Sequence, residues 1–326
     1  MDKPKRALVI GHFSTIGDIE SLDYVRGVLD EQGIAHDILP YNSKFVGEIA
    51  GATLISRVDP AQYTHLVAVC GPLWPELLDR RGIALERFAH CTRIGVNLTM
   101  VVPLDAWNPF HVLLERDSSR ATRPDLTFLQ PTGRAPLAGL CTIARQREYG
   151  ERQQHGRAVA LMTELIDARG LAAIDIDTRW PKRRNAGGLG SPAQVMAVID
   201  RLDVMLTNRL HGMVYALKAG VPVLAIDPVR GGDKVTAQAG ILGWPAVTTV
   251  EDGSAEKLAE LLDWCLSEQG REAAKSVAER ARAQLQPAAE ELRAALIAQF
   301  GDLPLPTPPR SAPRGLVRRL LGKRRA

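Results

Sequence analysis

The chain has 326 residues, 45% of them hydrophobic and 24% charged, which fits a folded globular protein and excludes a disordered or collagen-like one. That length predicts two domains. The net charge of +4 is concentrated after residue 300, where seven cations meet one anion, so residues 1–300 sum to −2 and lack the surface of a nucleic-acid binder.

Short apolar runs alternate with helix-like stretches along the chain. Arg6–Ile10 predicts a first strand, and its apolar part is too short for the core of a signal peptide. Leu22, Val25 and Leu29 give Ser21–Gln32 a helical spacing that Gly33 ends. His36–Pro40 and Leu66–Cys70 predict further strands, the latter stopped by Gly71-Pro72, and Arg93–Leu98 and His111–Leu114 add two more. Runs apolar on both faces, separated by helices, predict a parallel sheet covered on both sides.

The rhythm restarts after Thr132-Gly133-Arg134. Pro136–Ile143 predicts a strand, Arg157–Ala168 a helix closed by Gly170, and Ala172–Asp177 a strand. Arg179–Gly190 is polar and predicts an exposed loop. Ser191 is placed to cap a helix with Pro192 in its first turn, running to about Asp200. Asp203–Leu206 (strand), Gly212–Lys218 (helix) and Val221–Ile226 (strand) come next. Two amphipathic helices close the pattern, Glu256–Ser267 and Glu272–Phe300, the second expected to break or kink at Pro287. Two βα-alternating domains are expected, 1–134 and 135–302, and then at 303–326 a Pro-rich linker and a basic tail. No apolar run is long enough to span a membrane. Cys70, Cys91, Cys141 and Cys265 form neither a disulfide framework nor a zinc-ligand spacing, and they suit a reducing, cytoplasmic setting.

In open α/β sheets, ligands bind at the carboxyl ends of strands, where loops lead into helices. The segment from Asp203 to Asp227 places Arg209 and His211 in such a turn, ahead of a helix opened by Gly212. A helix N-terminus offers free N–H groups and partial positive charge, so Arg and His beside it point to a small, highly charged anion. The plainer alternative is an Arg paired with a carboxylate and a His capping the helix. Lys234 and Arg230 lie in the loop after the next strand, within reach of the same anion or simply in solvent. Arg145, Arg147 and His12 also come after strands. Trp74 and Trp107 suit either a sugar-stacking surface or, more simply, the core, and Cys70 suits a small core position.

Thr207-Asn208-Arg209-Leu210-His211-Gly212, with Ala216, Ala219-Gly220-Val221-Pro222 and Lys234, resembles the polysaccharide pyruvyl transferase family. Gly17-Asp18, within Ser14-Thr15-Ile16-Gly17-Asp18, resembles the family's first loop, and Glu115-Arg116-Asp117-Ser118-Ser119 resembles its strand ending in Arg and an acid. The likeness runs over most of residues 6–250. Two departures stand out: Val69-Cys70-Gly71-Pro72-Leu73-Trp74-Pro75 replaces a glycine run, and Thr15 replaces an Asn. Both fall on the acceptor side.

The resemblance implies two Rossmann-like domains facing across a cleft, as in GT-B glycosyltransferases. It implies phosphoenolpyruvate as donor, a ketal placed on two hydroxyls of a cell-surface or exopolysaccharide precursor, release of phosphate, and no nucleotide, cofactor or metal. Arg209, Leu210, Arg116 and Lys234 then bind the donor, which carries two anionic groups suited to bidentate arginine. His211 becomes the general acid/base and Asp18 orients an acceptor hydroxyl. For Arg116 a surface ion pair, and for Asp18 a helix cap, are the plainer alternatives. Rival readings are a nucleotide-sugar glycosyltransferase or epimerase on the same fold, and a non-catalytic family member. The tail, with Leu316, Val317, Leu320 and Leu321 among its cations, suits contact with an anionic inner membrane face bearing a lipid-linked acceptor, or a merely solubilising end.

Overall fold

The run Ala7-Leu8-Val9-Ile10 is fully buried because each of its faces meets a different core. Leu8 and Ile10 pack with Leu66, Leu73, Leu78 and Phe88. Ala7 and Val9 pack with Leu22, Val25, Leu29 and Val67. This strand, β1 (Arg6–Gly11), lies inside a sheet of five parallel strands with β2 (Ala35–Pro40), β3 (His65–Leu73), β4 (Thr92–Met100) and β5 (Val112–Leu114). Their order is β2-β1-β3-β4-β5. Helices α1 (Ile16–Glu31) and α2 (Pro75–Arg80) come after β1 and β3.

The computed structural model describes residues 4–297. They divide into two compact units between Gly133 and Arg134. The second unit has β6 (Leu137–Cys141), α3 (His155–Arg169), β7 (Ala172–Asp175), α4 (Pro192–Ile199), β8 (Val204–Thr207), α5 (Leu210–Lys218), β9 (Val223–Asp227), α6 (Lys234–Leu242), β10 (Val247–Thr249), α7 (Ala255–Leu266) and α8 (Glu268–Ile297). Its strands are also all parallel, in the order β10-β9-β8-β6-β7. Each unit is therefore an α/β sheet whose first strand lies between its second and third. The crevice where that order reverses is the ligand-binding position of such sheets: β1/β3 in the first unit, β6/β8 in the second.

The pattern read in the sequence did not contain α2, α6 or β10, and four further elements differ from it. Helix α1 begins at Ile16, because Thr15 accepts from Asp18 N while the Asp18 carboxylate accepts from Thr15 N, a reciprocal cap. Strand β3 continues through Gly71-Pro72. Gly71 takes φ +80°, and β1 pairs with β3 only as far as Val69, so Pro72 deprives no second neighbour of a donor. Helix α5 opens at Leu210, two residues before Gly212, with Arg209 as its cap. Helix α8 is continuous across Pro287. Ser191 does cap α4, accepting from Gln194 N. The expected end of the last helix at Phe300 and the segment 303–326 lie outside the described residues. No helix among the described residues is long and apolar enough to cross a membrane.

Candidate functional site

The second unit's switch point is built from the ends of β6 and β8. Thr207 is fully buried and its hydroxyl donates to Cys141 O at 2.6 Å, while Arg209 N donates to Thr207 Oγ1 at 3.0 Å. Asn208, also fully buried, ties β8 to the loop after β6. Its Oδ1 accepts from Ile143 N at 2.8 Å and its Nδ2 donates to Ile143 O at 3.0 Å. The turn is thus pinned on both sides just before Arg209.

Gly212 lets the first turn of α5 sit on these strand ends. A Cβ there would lie 2.3 Å from Thr207 Oγ1 and 3.0 Å from Cys141 Sγ. No side chain caps α5, whereas Ser191, Asp233 and Ser254 cap α4, α6 and α7. The first-turn N–H groups of α5 therefore keep their capacity for an anion.

Arg209, Leu210 and His211 line a pocket of about 150 Å³ together with Ile143, Gln146 and Lys234. Arg209 and Ile143 also border an adjoining groove of about 510 Å³ that contains Thr142, Arg145, Asp177 and Arg179. Arg209 is the charged partition between the two spaces.

Lys234 reaches the pocket because its loop is tightly ordered. The buried Asp227 carboxylate accepts from Val229 N (3.1 Å), Asp233 N (2.8 Å), Thr236 N (2.9 Å) and the Thr236 hydroxyl (3.0 Å). Asp233 Oδ1 accepts from Lys234 N at 2.8 Å, and Tyr149 OH lies 3.4 Å from the same oxygen. Lys234 Nζ stands 5.4 Å from the Tyr149 ring centroid. Gln146 is held from behind, its Oε1 3.2 Å from Nε2 of the buried His155. Burial, and after it the charge of Lys234, lowers the His155 pKa.

The charge balance separates this site from its surroundings. Arg152 faces Asp233 at 3.8 Å, Arg230 faces Glu251 at 3.8 Å, and Arg179 pairs with Asp177 at 2.8 Å. Among the described residues, neither Arg145, Arg209 nor Lys234 has a carboxylate within 4 Å. The carboxylate pair that the plainer reading of Arg209 requires is not formed. His211 does not cap α5, and its ring is tilted against Tyr215 at 5.9 Å. Among the described residues no group of three or more His, Cys, Asp and Glu is placed to hold a metal ion.

Asp18 and Arg116 belong to the first unit, and each is engaged there. Asp18 Oδ2 accepts from Ser14 N (3.1 Å) and Thr15 N (3.0 Å). Arg116 donates to Asp117 Oδ2 (2.9 Å), Asp125 Oδ2 (3.0 Å) and Thr99 Oγ1 (2.7 Å). No bond joins Asp18 to Arg116. Nearby, the buried Asn97 amide donates to Ser21 (3.2 Å), Cys70 Sγ (3.4 Å) and Asp125 (3.1 Å). Phe13, Cys70 and Asn97 take φ of 46°, 62° and 53° after or within β1, β3 and β4, so backbone strain gathers at this switch point. Burial, the largest influence, pushes the Cys70 thiol up, away from nucleophilic use. His12 meets Tyr41 edge-on at 5.1 Å, and Trp74 and Trp107 pack against the core.

The sequence pattern missed Asn208, Gln146, Tyr149 and His155 as organisers of the site. Its signal for Arg145 was only a position after a strand.

Residues 122–228 match the family model for polysaccharide pyruvyl transferase. The matched span holds Arg145, Arg209, Leu210 and His211; it ends before Lys234 and begins after Asp18 and Arg116. No curated protein matches the chain. Among solved structures, the glycosyltransferase SnogD from Streptomyces nogalater is 15% identical, with 90% of this chain and all of that one covered and a TM-score of 0.33. The UDP-GlcNAc 2-epimerase from Methanocaldococcus jannaschii is 10% identical, with 86% and 99% covered and a TM-score of 0.31. A glycosyltransferase from Rickettsia africae is 13% identical, with 91% and 100% covered and a TM-score of 0.31.

Proposed function

We propose that the protein is a pyruvyl transferase that takes phosphoenolpyruvate at the C-terminal ends of β6 and β8 and forms a ketal on a sugar of a cell-surface or exopolysaccharide precursor. The observation that carries this reading is the set of unpaired cations, Arg209 and Lys234, around the uncapped N-terminus of α5, inside or just beyond the segment that matches the family.

In this reading the donor's phosphate and carboxylate take the Arg209 guanidinium, the Leu210 and His211 backbone N–H groups and the Lys234 ammonium. Arg145 adds a second guanidinium from across Arg209. In this reading Arg116 adds a donor contact and Asp18 orients an acceptor hydroxyl, while within their own unit Asp18 accepts from Thr15 N and Arg116 pairs with Asp117 and Asp125. His211 works as proton donor and acceptor. A proton is delivered to the methylene carbon of the enol, and one sugar hydroxyl adds to the neighbouring carbon as it loses its proton. A second hydroxyl then displaces phosphate from that carbon and closes the ketal. The sum is phosphoenolpyruvate plus a diol giving a pyruvate ketal plus phosphate. The reaction is placed in the cytoplasm, where such donors are made.

Calorimetric titration with phosphoenolpyruvate, beside uridine diphosphate, tests the reading. Binding of phosphoenolpyruvate that is lost in Arg209→Ala supports it. Binding of uridine diphosphate in its place shifts the reading to a nucleotide-sugar glycosyltransferase or epimerase. Donor binding without turnover on any glycan favours a non-catalytic member.

A further inference from the structure

In the first unit, the chain after β2 and the end of α2 enclose a pocket of about 220 Å³. Backbone bonds fix its walls. Tyr41 N donates to Gly11 O at 2.8 Å and Thr53 N to Ile38 O at 2.8 Å, which tie both ends of the segment after β2 to the sheet. Ile83 N donates to Leu78 O at 3.0 Å and turns the chain back at the end of α2. Leu39, Ile55 and Ile83 give the pocket apolar sides.

Its polar lining consists of groups that can donate. Tyr41, Asn42, Ser43, Thr53, Arg80 and Arg81 border it, and no Asp or Glu is among the described residues that do. Among the described residues, neither Arg80 nor Arg81 has a carboxylate within 4 Å, and the Ser43 and Thr53 hydroxyls have no partner. Asn42 Oδ1 accepts from Lys44 N at 3.1 Å, which leaves its amino group to donate. Tyr41 is 6% exposed, and its buried hydroxyl has no hydrogen-bond partner among the described residues. Buried donors are almost always paired, so this one marks the place of an acceptor that the chain does not itself supply. Arginines at the end of α2 also complement the helix dipole, but that role calls for no donors on the β2 side.

The pocket is smaller than the roughly 300 Å³ at which drug-sized ligand sites begin, so its occupant is small. Paired guanidiniums suit a phosphate or a carboxylate. Hydroxyl and amide donors suit the oxygens of a sugar, and the apolar sides suit its C–H face. We propose that this pocket binds a small acidic sugar through its phosphate or carboxylate group. The assignment is independent of the chemistry at Arg209, which belongs to the other unit.

Calorimetric titration of Arg209→Ala with glucose 6-phosphate, glucuronate and glucose tests it, because that variant lacks the guanidinium of the other pocket. Binding of an acidic sugar is expected, with glucose at least ~10-fold weaker, and the tighter of the two acids tells phosphate from carboxylate. R80Q/R81Q on the same background should weaken the acid at least ~10-fold. Tyr41→Phe should weaken it about 5-fold, the scale of one neutral hydrogen bond, with no loss of thermal stability. Thermal unfolding of R80Q/R81Q should match that of its background, because both side chains are exposed. If it does not, Ser43→Asp replaces it, since Ser43 is exposed on the β2 side and the new carboxylate repels the anion. The proposal is overturned if neither acid binds, if glucose binds as tightly as the acids, or if R80Q/R81Q or its replacement keeps undiminished affinity.

Discussion

Asn208 grips Ile143 by both halves of its amide, accepting from the backbone N–H at 2.8 Å and donating to the backbone carbonyl at 3.0 Å. The two residues are 65 apart in sequence, yet this pair sets the spacing between the loops that carry Arg145 and Arg209. Asn208→Leu should leave two buried backbone groups unpaired, at a cost of about 2–4 kcal/mol. Chemical denaturation should show that loss, and calorimetry should show weaker phosphoenolpyruvate binding in the protein that remains folded. Unchanged donor affinity would remove Asn208 from the positioning of the site.

Arg209 and His211 should separate binding from chemistry. Arg209→Ala removes the guanidinium shared by both spaces and should weaken phosphoenolpyruvate by roughly 100-fold, the scale of a charge-assisted bidentate contact. His211→Gln keeps the ring's size and polarity but not its proton exchange. It should bind the donor within a few-fold of the parent and lose turnover by about 100-fold or more, the scale of general acid–base catalysis. Phosphate release in the presence of acceptor, read beside the titration, checks both. A His211→Gln enzyme of near-normal rate would end the acid/base assignment.

Much of this architecture was legible because buried parallel strands are apolar on both faces, and Ala7–Ile10, Leu66–Val69 and Val223–Ile226 announce themselves in that way. Boundaries failed where a local device overrode the pattern. The start of α1 has no apolar periodicity, with Ile16 84% exposed, and only the Thr15–Asp18 spacing carried the signal. Gly71-Pro72 reads as a stop until the shorter β1 is known to leave β3 with one neighbour there. Helix α6 buries only Val235 and Ala239, too few to show a period. At the site, Arg209 and His211 were visible because their position at a strand end already implies chemistry. Asn208 and His155 act through partners distant in sequence or through side chains without charge, and no spacing rule reveals them.

Glu115 supplies a pH dependence unconnected with the donor site. Its buried carboxylate accepts from Arg120 Nε and Nη2, both at 2.9 Å, and from the Ser118 hydroxyl at 3.0 Å. The Arg120 bonds, against the opposing effect of burial, lower its pKa from 4.5 to about 2. A depressed carboxylate contributes stability that is complete above its unfolded value and is lost as protons bind below it. The unfolding midpoint should therefore fall as pH drops from 4.5 toward 2, and part of that slope should vanish in Glu115→Gln. At neutral pH the variant should already be less stable by roughly 1–3 kcal/mol, the scale of hydrogen bonds to a charged group. Denaturation curves at several pH values check the sign; an identical slope in the variant would assign the acid sensitivity to other carboxylates.

Gly212→Ala tests whether the α5 turn has any slack. The added Cβ would stand 2.3 Å from Thr207 Oγ1 and 3.0 Å from Cys141 Sγ, and both atoms are buried at strand ends. Neither is the tip of a flexible side chain, so the helix start must move instead. Overpacking of this kind costs about 1–3 kcal/mol. The same shift carries the Leu210 and His211 N–H groups away from their place beside Arg209, so donor affinity should fall together with stability. Gly240→Ala is the control, since a Cβ there meets nothing within 4 Å and the substitution should leave donor affinity unchanged. If Gly212→Ala loses stability but binds phosphoenolpyruvate normally, the donor is held by the side chains alone and the helix N-terminus has no part in it.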